Sequence, residues 1–259
     1  MQSPKTEHGS FKEGSNSALM FQLQPLSNDQ TALAEAPMIR AAGKLLGYLV
    51  EHQTIGLTQT KAFQRKFVLW AAETFQWPGY DLERYFAVSK VLNEYDFPPL
   101  EDLHFVLLKL KLIRHYKLTC RLTKSGAALA VKPGDLFNLI APFFLFRIDH
   151  AASSRIAEPL LGNWDVFLGI LNVEAEGGVS SARLREILYG PPDPAEPYDR
   201  VPGMIHSQVL SPLCAMGLLV EGEKKTRQAF DERQYVKTPL WAAALRFPFE
   251  RQRARPDFH

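Results

Sequence analysis

Between Leu103 and Val131 the chain carries His104, Lys109, Lys111, Arg114, His115, Lys117, Arg121 and Lys124, and not one acidic residue. Contact with a polyanion calls for such a run. Each Lys or Arg that meets a phosphate releases condensed counterions, and a guanidinium can hold two phosphate oxygens at once. The whole chain has a net charge of only +2, so any such contact must come from this local stripe and not from bulk charge. A second cluster, Lys224, Lys225 and Arg227 with Arg233 and Lys237 beyond it, is diluted by Glu221, Glu223, Asp231 and Glu232. Reading base edges needs Arg, Lys, Asn or Gln on an exposed helix face. Lys109 and Lys111 are the groove-facing candidates in the first half, with His206 and Gln208 their weaker counterparts in the second. Phosphate-contacting residues outnumber base-reading ones, so weak sequence selectivity is expected.

Other chemistries find less support. The chain has no P-loop, no glycine-rich dinucleotide turn and no G-x-S-x-G elbow. His104, His115, His150 and His206 lack metal-ligand spacing, and no metal or cofactor is expected. Asp149 and His150 are adjacent, and adjacent residues on a helix point apart. Cys120 and Cys214 each sit in an apolar pattern, which reads as core thiols of a reducing cytoplasm. Glu94, Asp96, Glu101 and Asp102 form an acidic patch, read as a solvated loop, with a cation or a basic partner as the alternative. A non-enzymatic protein is expected.

The elements that must position the stripe can be read from periodicity. Leu103, Leu107 and Leu110 recur at helical spacing, and Leu112 and Ile113 close that helix and open a strand. Leu118, Cys120 and Leu122 alternate with Thr119, Arg121 and Thr123, the period of a half-buried strand. Thr123 is placed to cap the helix beginning KSGAAL. Upstream, Pro37 starts a helix to about His52 with Ile39, Leu45, Leu46, Leu49 and Val50 as its apolar face. Gly56 is read as a turn, Leu57 as extended, and Thr58 as the cap of a helix over 60–77 that carries Phe63, Phe67, Trp70, Ala71 and Phe75. One further helix is expected in the insertion over residues 80–98.

The second half repeats this order. A helix from Trp164 ends at Gly177-Gly178, and Ser180 is placed to cap the next. Val209, Leu213 and Met216 then take the places of Leu103, Leu107 and Leu110, with Gly217 in the place of Lys111. Glycine suits a helix end better than lysine. Two matches to one order argue for a duplicated unit. Residues 1–30 read as a polar tail in which FQLQPL is a short anchor. Residues 131–163 read as an apolar helical linker, a buried connecting helix pair interrupted at Pro142, with an exposed surface for a homodimer or protein partner as the alternative.

Helix, short strand, helix, helix and hairpin is the order of a winged helix-turn-helix. The expected fold class is α+β, mainly helical, with tandem winged helix-turn-helix domains at 31–130 and 164–259 and short β-wings. The stretches GLTQTKAFQRKFV, EYDFPPLEDLHFVLLKLKLIR and LTKSGAAL also resemble the winged-helix region of proteins related to the third open reading frame of an Agrobacterium root-inducing plasmid. The resemblance covers about residues 38–130. It departs over Lys117 to Cys120, where the family pattern has a glycine in the wing. It implies a bacterial protein, and the wider superfamily implies double-stranded DNA as the commonest partner, with protein interaction second. The expectation is a cytoplasmic DNA-binding protein, plausibly a transcriptional regulator. Its phosphate contacts would be Arg114, Lys117, Arg121 and Lys124, supported by Lys224, Lys225 and Arg227.

Overall fold

The computed structural model describes residues 21–152, 158–195, 198–222 and 230–248. A two-residue strand, β1 (Gln22–Leu23), precedes α1 (Pro37–His52), β2 (Thr54–Gly56), α2 (Arg65–Phe75), the short α3 (Leu82–Phe86) and α4 (Pro98–Lys109). The hairpin β3 (Ile113–Tyr116) and β4 (Thr119–Leu122) follows, then α5 (Lys124–Leu129) and α6 (Pro133–Phe146). The second half runs α7 (Trp164–Glu174), β5 (Val179–Ser180), α8 (Ser181–Tyr189), α9 (Val201–Ile205), α10 (Ser211–Ala215), β6 (Leu219–Glu221), β7 (Gln234–Lys237), α11 (Pro239–Ala244) and β8 (Leu245–Arg246). A π-helical turn, His206–Leu210, joins α9 to α10. Pro212 offers no N–H to the turn before it, and the widened register accommodates that loss. The class is α+β and mainly helical.

The two halves build the same sheet. Each has three antiparallel strands, in the orders β2-β4-β3 and β5-β7-β6, so the last strand of each unit lies in the middle. Three caps place the helices around them. The Thr123 hydroxyl accepts from Gly126 N–H, Ser180 from Arg183 N–H and Thr238 from Leu240 N–H. Lys111 and Gly217 end the corresponding helices with φ of 58° and 74°. Gly217 is obligatory for a second reason: a Cβ there would overlap the Glu35 carbonyl at the entry to α1.

Several expectations are corrected. Thr58 does not cap α2, which begins only at Arg65. Residues 58–63 instead fold into a loop closed by Thr58 N–H to Ala62 O and a Leu57–Phe63 bridge, so Phe63 reaches the core from a loop. Gly56 lies in a strand, not a turn. Val50 faces outward, since the buried side of α1 is fixed by Leu45, Leu46 and Leu49. The 80–98 insertion holds only α3 and a single turn at Glu94–Asp96, and Pro98-Pro99 open α4.

The short anchor expected at FQLQPL is present: Phe21 and Leu26 are buried and β1 pairs with β8, Leu23 opposite Leu245. Asn28 Oδ1 accepts from the Gly134 and Asp135 N–H groups at the start of α6, and Asn138 exchanges two bonds with the Leu26 backbone. The expected linker contains one helix through Pro142. Leu136, Phe137, Ile140, Ala141, Phe144 and Leu145 of α6 are buried, so its apolar face is covered within the chain. One continuous core therefore runs from α1 through α6 into the second half.

Candidate nucleic-acid interface

Alternation in the hairpin sorts its side chains onto two faces. Ile113, His115, Cys120 and Leu122 share one face, and Cys120 is fully buried there. Arg114 and Tyr116 point the other way, directly across from Arg121 and Thr119. Arg114 and Arg121 thus lie side by side at the centre of the outer face. Like charges directly opposite each other are destabilising. Yet among the described residues no carboxylate lies within ion-pairing distance of either. Tyr116 provides partial support, with the Arg121 guanidinium 4.5 Å from its ring centroid and the Lys117 ammonium 5.7 Å away. The Arg121 Nε is buried without a hydrogen-bond partner.

The remaining predicted cations extend this face along the hairpin. Lys117 sits exposed in the two-residue tip with φ 54°, so a lysine takes the left-handed conformation where the related pattern has glycine. Lys111 and Lys124 flank the other end, where the Thr123 hydroxyl donates to Lys111 O at 2.8 Å. Lys111 is therefore not on the helix, as the sequence suggested, but in the turn after it. Lys109 is on α4, its ammonium 5.3 Å from the Phe105 ring centroid. The exposed side of α4 otherwise shows Glu101, Asp102 and Phe105, a poor surface for base edges. Lys61 was not singled out for the wing, yet its ammonium donates to Lys117 O at 2.9 Å. The loop that delivers it has no sequence periodicity to announce it.

Among its described residues the second half does not present a matching surface. Lys224, Lys225 and Arg227 lie outside the described residues. Arg233 pairs with Glu221 at 3.2 Å, and Lys237 pairs with Glu176. Gln208, read as base-reading, is buried. Its amide bonds the Leu160 N–H and the Glu158 carbonyl. His206 is hydrogen-bonded to the Tyr235 hydroxyl at 2.8 Å. α9 packs on α8 of its own half, and α10 packs on α1 and α6.

Where the halves meet is a cleft of about 590 Å³. Arg40, Trp77, Pro98 and Asp102 line one wall, and His206, Cys214, Glu221 and Tyr235 the other. Crowding by the walls raises the Asp102 carboxyl to about 6, although its tip is open to water, and Glu101 adds to the effect. Burial lowers His150 and His206 and pushes the Cys214 thiol up to about 12. Both signs of charge line this cleft, unlike the hairpin face.

A second arrangement escaped the sequence reading. Glu94, His104 and His115, assigned there to separate elements, form one line. His104 Nδ1 lies 2.6 Å from Glu94 Oε1, and its Nε2 lies 2.8 Å from His115 Nε2. Phe63 stacks on His104 with ring centroids 3.9 Å apart, and its N–H donates to the other Glu94 oxygen. Glu94 belonged to what looked like a solvated acidic loop but is buried.

Two family models match this chain, one described as the Y4jL N-terminal domain over residues 34–135 and the other as the y4jL C-terminal domain over 154–239. An uncharacterised protein, y4jL of Sinorhizobium fredii, is 36% identical over 188 residues, covering 71% of this chain and 85% of its own length. The chain belongs to the Y4jL family. No solved structure matches it. The basic hairpin and the relay lie wholly within the Y4jL N-terminal domain, whereas the cleft is lined from both domains. No helix among the described residues is long and apolar enough to cross a membrane.

Proposed function

We propose that each half of the chain is a winged helix-turn-helix unit, and that the first binds the backbone of double-stranded DNA through its wing. On this reading the protein is non-enzymatic, and plausibly a transcriptional regulator. The observation that carries the proposal is the Arg114–Arg121 pair, an exposed and a half-buried guanidinium opposite each other on the outer sheet face, with no carboxylate beside them among the described residues. A phosphate between them relieves the repulsion and supplies acceptors in the bidentate geometry that guanidinium groups favour. Lys117 and Lys61 extend the site at the tip, and Lys111 and Lys124 at the base. The unit order supports the winged-helix reading: helix, strand, helix, helix, hairpin, with the returning strand central in both sheets.

The helices argue for backbone contact over base readout. The exposed side of α4 begins with two acids, and α10 is packed on α1 and α6. Binding should therefore be salt-sensitive and indifferent to sequence.

Fluorescence anisotropy with unrelated duplexes at low and physiological salt tests this directly. Wild type should bind each duplex equally. The triple variant Arg114→Ala/Lys117→Ala/Arg121→Ala should lose affinity, and its log–log salt slope should fall by about 0.9 for each phosphate contact removed. No binding at low salt would remove DNA as the partner and leave protein interaction as the function of the scaffold. Sharp discrimination between duplexes would overturn the backbone-only mode.

A further inference from the structure

The Glu94–His104–His115 line has one self-consistent set of protons. Only one proton fits between two ring nitrogens 2.8 Å apart. Glu94 as a carboxylate has none to give, and it accepts from Phe63 N–H on one oxygen and from His104 on the other. His104 therefore carries its proton on Nδ1 and offers the Nε2 lone pair. His115 must then donate from Nε2, leaving its Nδ1 as the free acceptor of the relay. A proton added to His104 Nε2 would set two N–H groups head to head and part the rings. A proton added to His115 Nδ1 would place an imidazolium in a half-buried site.

The surroundings resist that charge. His104 faces His115 from α4, Lys61 from the 58–63 loop and the Cys120 thiol from the neighbouring strand. Arg114, next to His115 in β3, points to the opposite face. Burial first, then His104 and Lys61, hold His115 below the ordinary histidine range, and only Glu94 opposes them. Burial pushes the Cys120 thiol up to about 12, so it stays neutral.

We propose that this relay is a proton-operated latch: with both rings neutral it pins the edge strand β3 of the basic hairpin to α4, and acid loosens β3 by favouring a state in which His115 has swung into water and taken up a proton. The sign follows from linkage. A histidine held below its unfolded value stabilises the closed arrangement fully above that value, and the contribution is lost as pH falls through the folded one. β4 is laddered to β2 from Thr54–Arg121 to Gly56–Thr119, and the tip is joined to the body by Leu57 N–H to Leu118 O and the Lys61 ammonium to Lys117 O, whereas β3 is an edge strand bonded only to β4 within the sheet. Release would thus alter how the basic face is presented. The latch does not depend on DNA binding, and it is tested on the free protein.

Hydrogen exchange on the full chain, corrected for intrinsic rates, should be followed from about pH 7.5 to about pH 5.5, across the ordinary histidine range. Protection of the Ile113–Thr119 amides should fall severalfold in wild type. His115→Gln keeps an amide donor toward His104 but cannot titrate there, so its hairpin protection should stay level. Ring nitrogen chemical shifts of the unmutated protein supply a second reading that needs no variant. His104 should be the Nδ1–H tautomer and His115 the Nε2–H tautomer at neutral pH. Equal pH dependence in the two proteins, or His115 in the Nδ1–H tautomer, would overturn the latch.

Discussion

The hairpin units at 98–122 and 201–237 share an order of elements, a sheet topology and even a left-handed residue at the same helix end. They differ in what faces solvent. In the first, Arg114 and Arg121 stand on the outer face of the sheet without a carboxylate partner among the described residues. In the second, Arg233 and Lys237 are each tied to a glutamate, and α10 before the hairpin packs on α1 and α6. Duplication of a backbone pattern has not duplicated its surface. One copy packs on the other in a shared core, and among the described residues the unpaired basic face is that of the first hairpin.

The sharpest way to break that comparison is at the two helix ends. Gly217→Ala forces a side chain into a left-handed conformation and against the Glu35 carbonyl, so it should cost about 3 kcal/mol or more and lower the thermal midpoint of the whole chain. Lys111→Gly, at the matching position, relieves a lysine held at φ 58° and should stabilise by about 1 kcal/mol. Equal responses at the two sites would show that the halves do not depend on each other.

The wings should differ next. Arg233→Ala/Lys237→Ala should leave duplex affinity and salt slope unchanged, because those cations are already neutralised, and should cost about 1 kcal/mol in chemical denaturation. A loss of affinity equal to that of the first-wing triple variant would make the two faces equivalent.

Asp102 offers a smaller contrast. Its carboxyl is raised to about 6, so ionisation opposes folding above that value. Asp102→Asn should raise the melting temperature at neutral pH. The gain should vanish below the ordinary aspartate range, where the wild-type carboxyl is already neutral in both states. A gain that persisted in acid would point to packing, not charge. Finally, both thiols are raised to about 12, so neither should react quickly with a thiol reagent at neutral pH in the folded protein. Half-exposed Cys214 should be trapped before buried Cys120.

Much of this was legible in the chain because it is local. Helix and strand periods, the Thr123 and Ser180 caps, the helix end at Gly217 and the run of cations from Lys109 to Lys124 depend on residues a few positions apart, and a sequence carries those relations directly. Where local signals compete, the reading slipped. Phe63 fits a helical stripe as well as a loop, and Val50 fits the period of α1 but lies just outside the arc its neighbours cover. Tertiary structure alone decided which surfaces remain. β1 pairs with β8 across more than two hundred residues, Gln208 is buried against the 158–160 segment, and the acidic loop delivers Glu94 into a core. His104 and His115 meet because the turn at Lys111 folds β3 back along α4, so two residues with no meaningful spacing become one hydrogen-bonded pair. Faces are assigned by which apolar areas cover one another, and that choice is made between distant elements, beyond the reach of neighbouring residues.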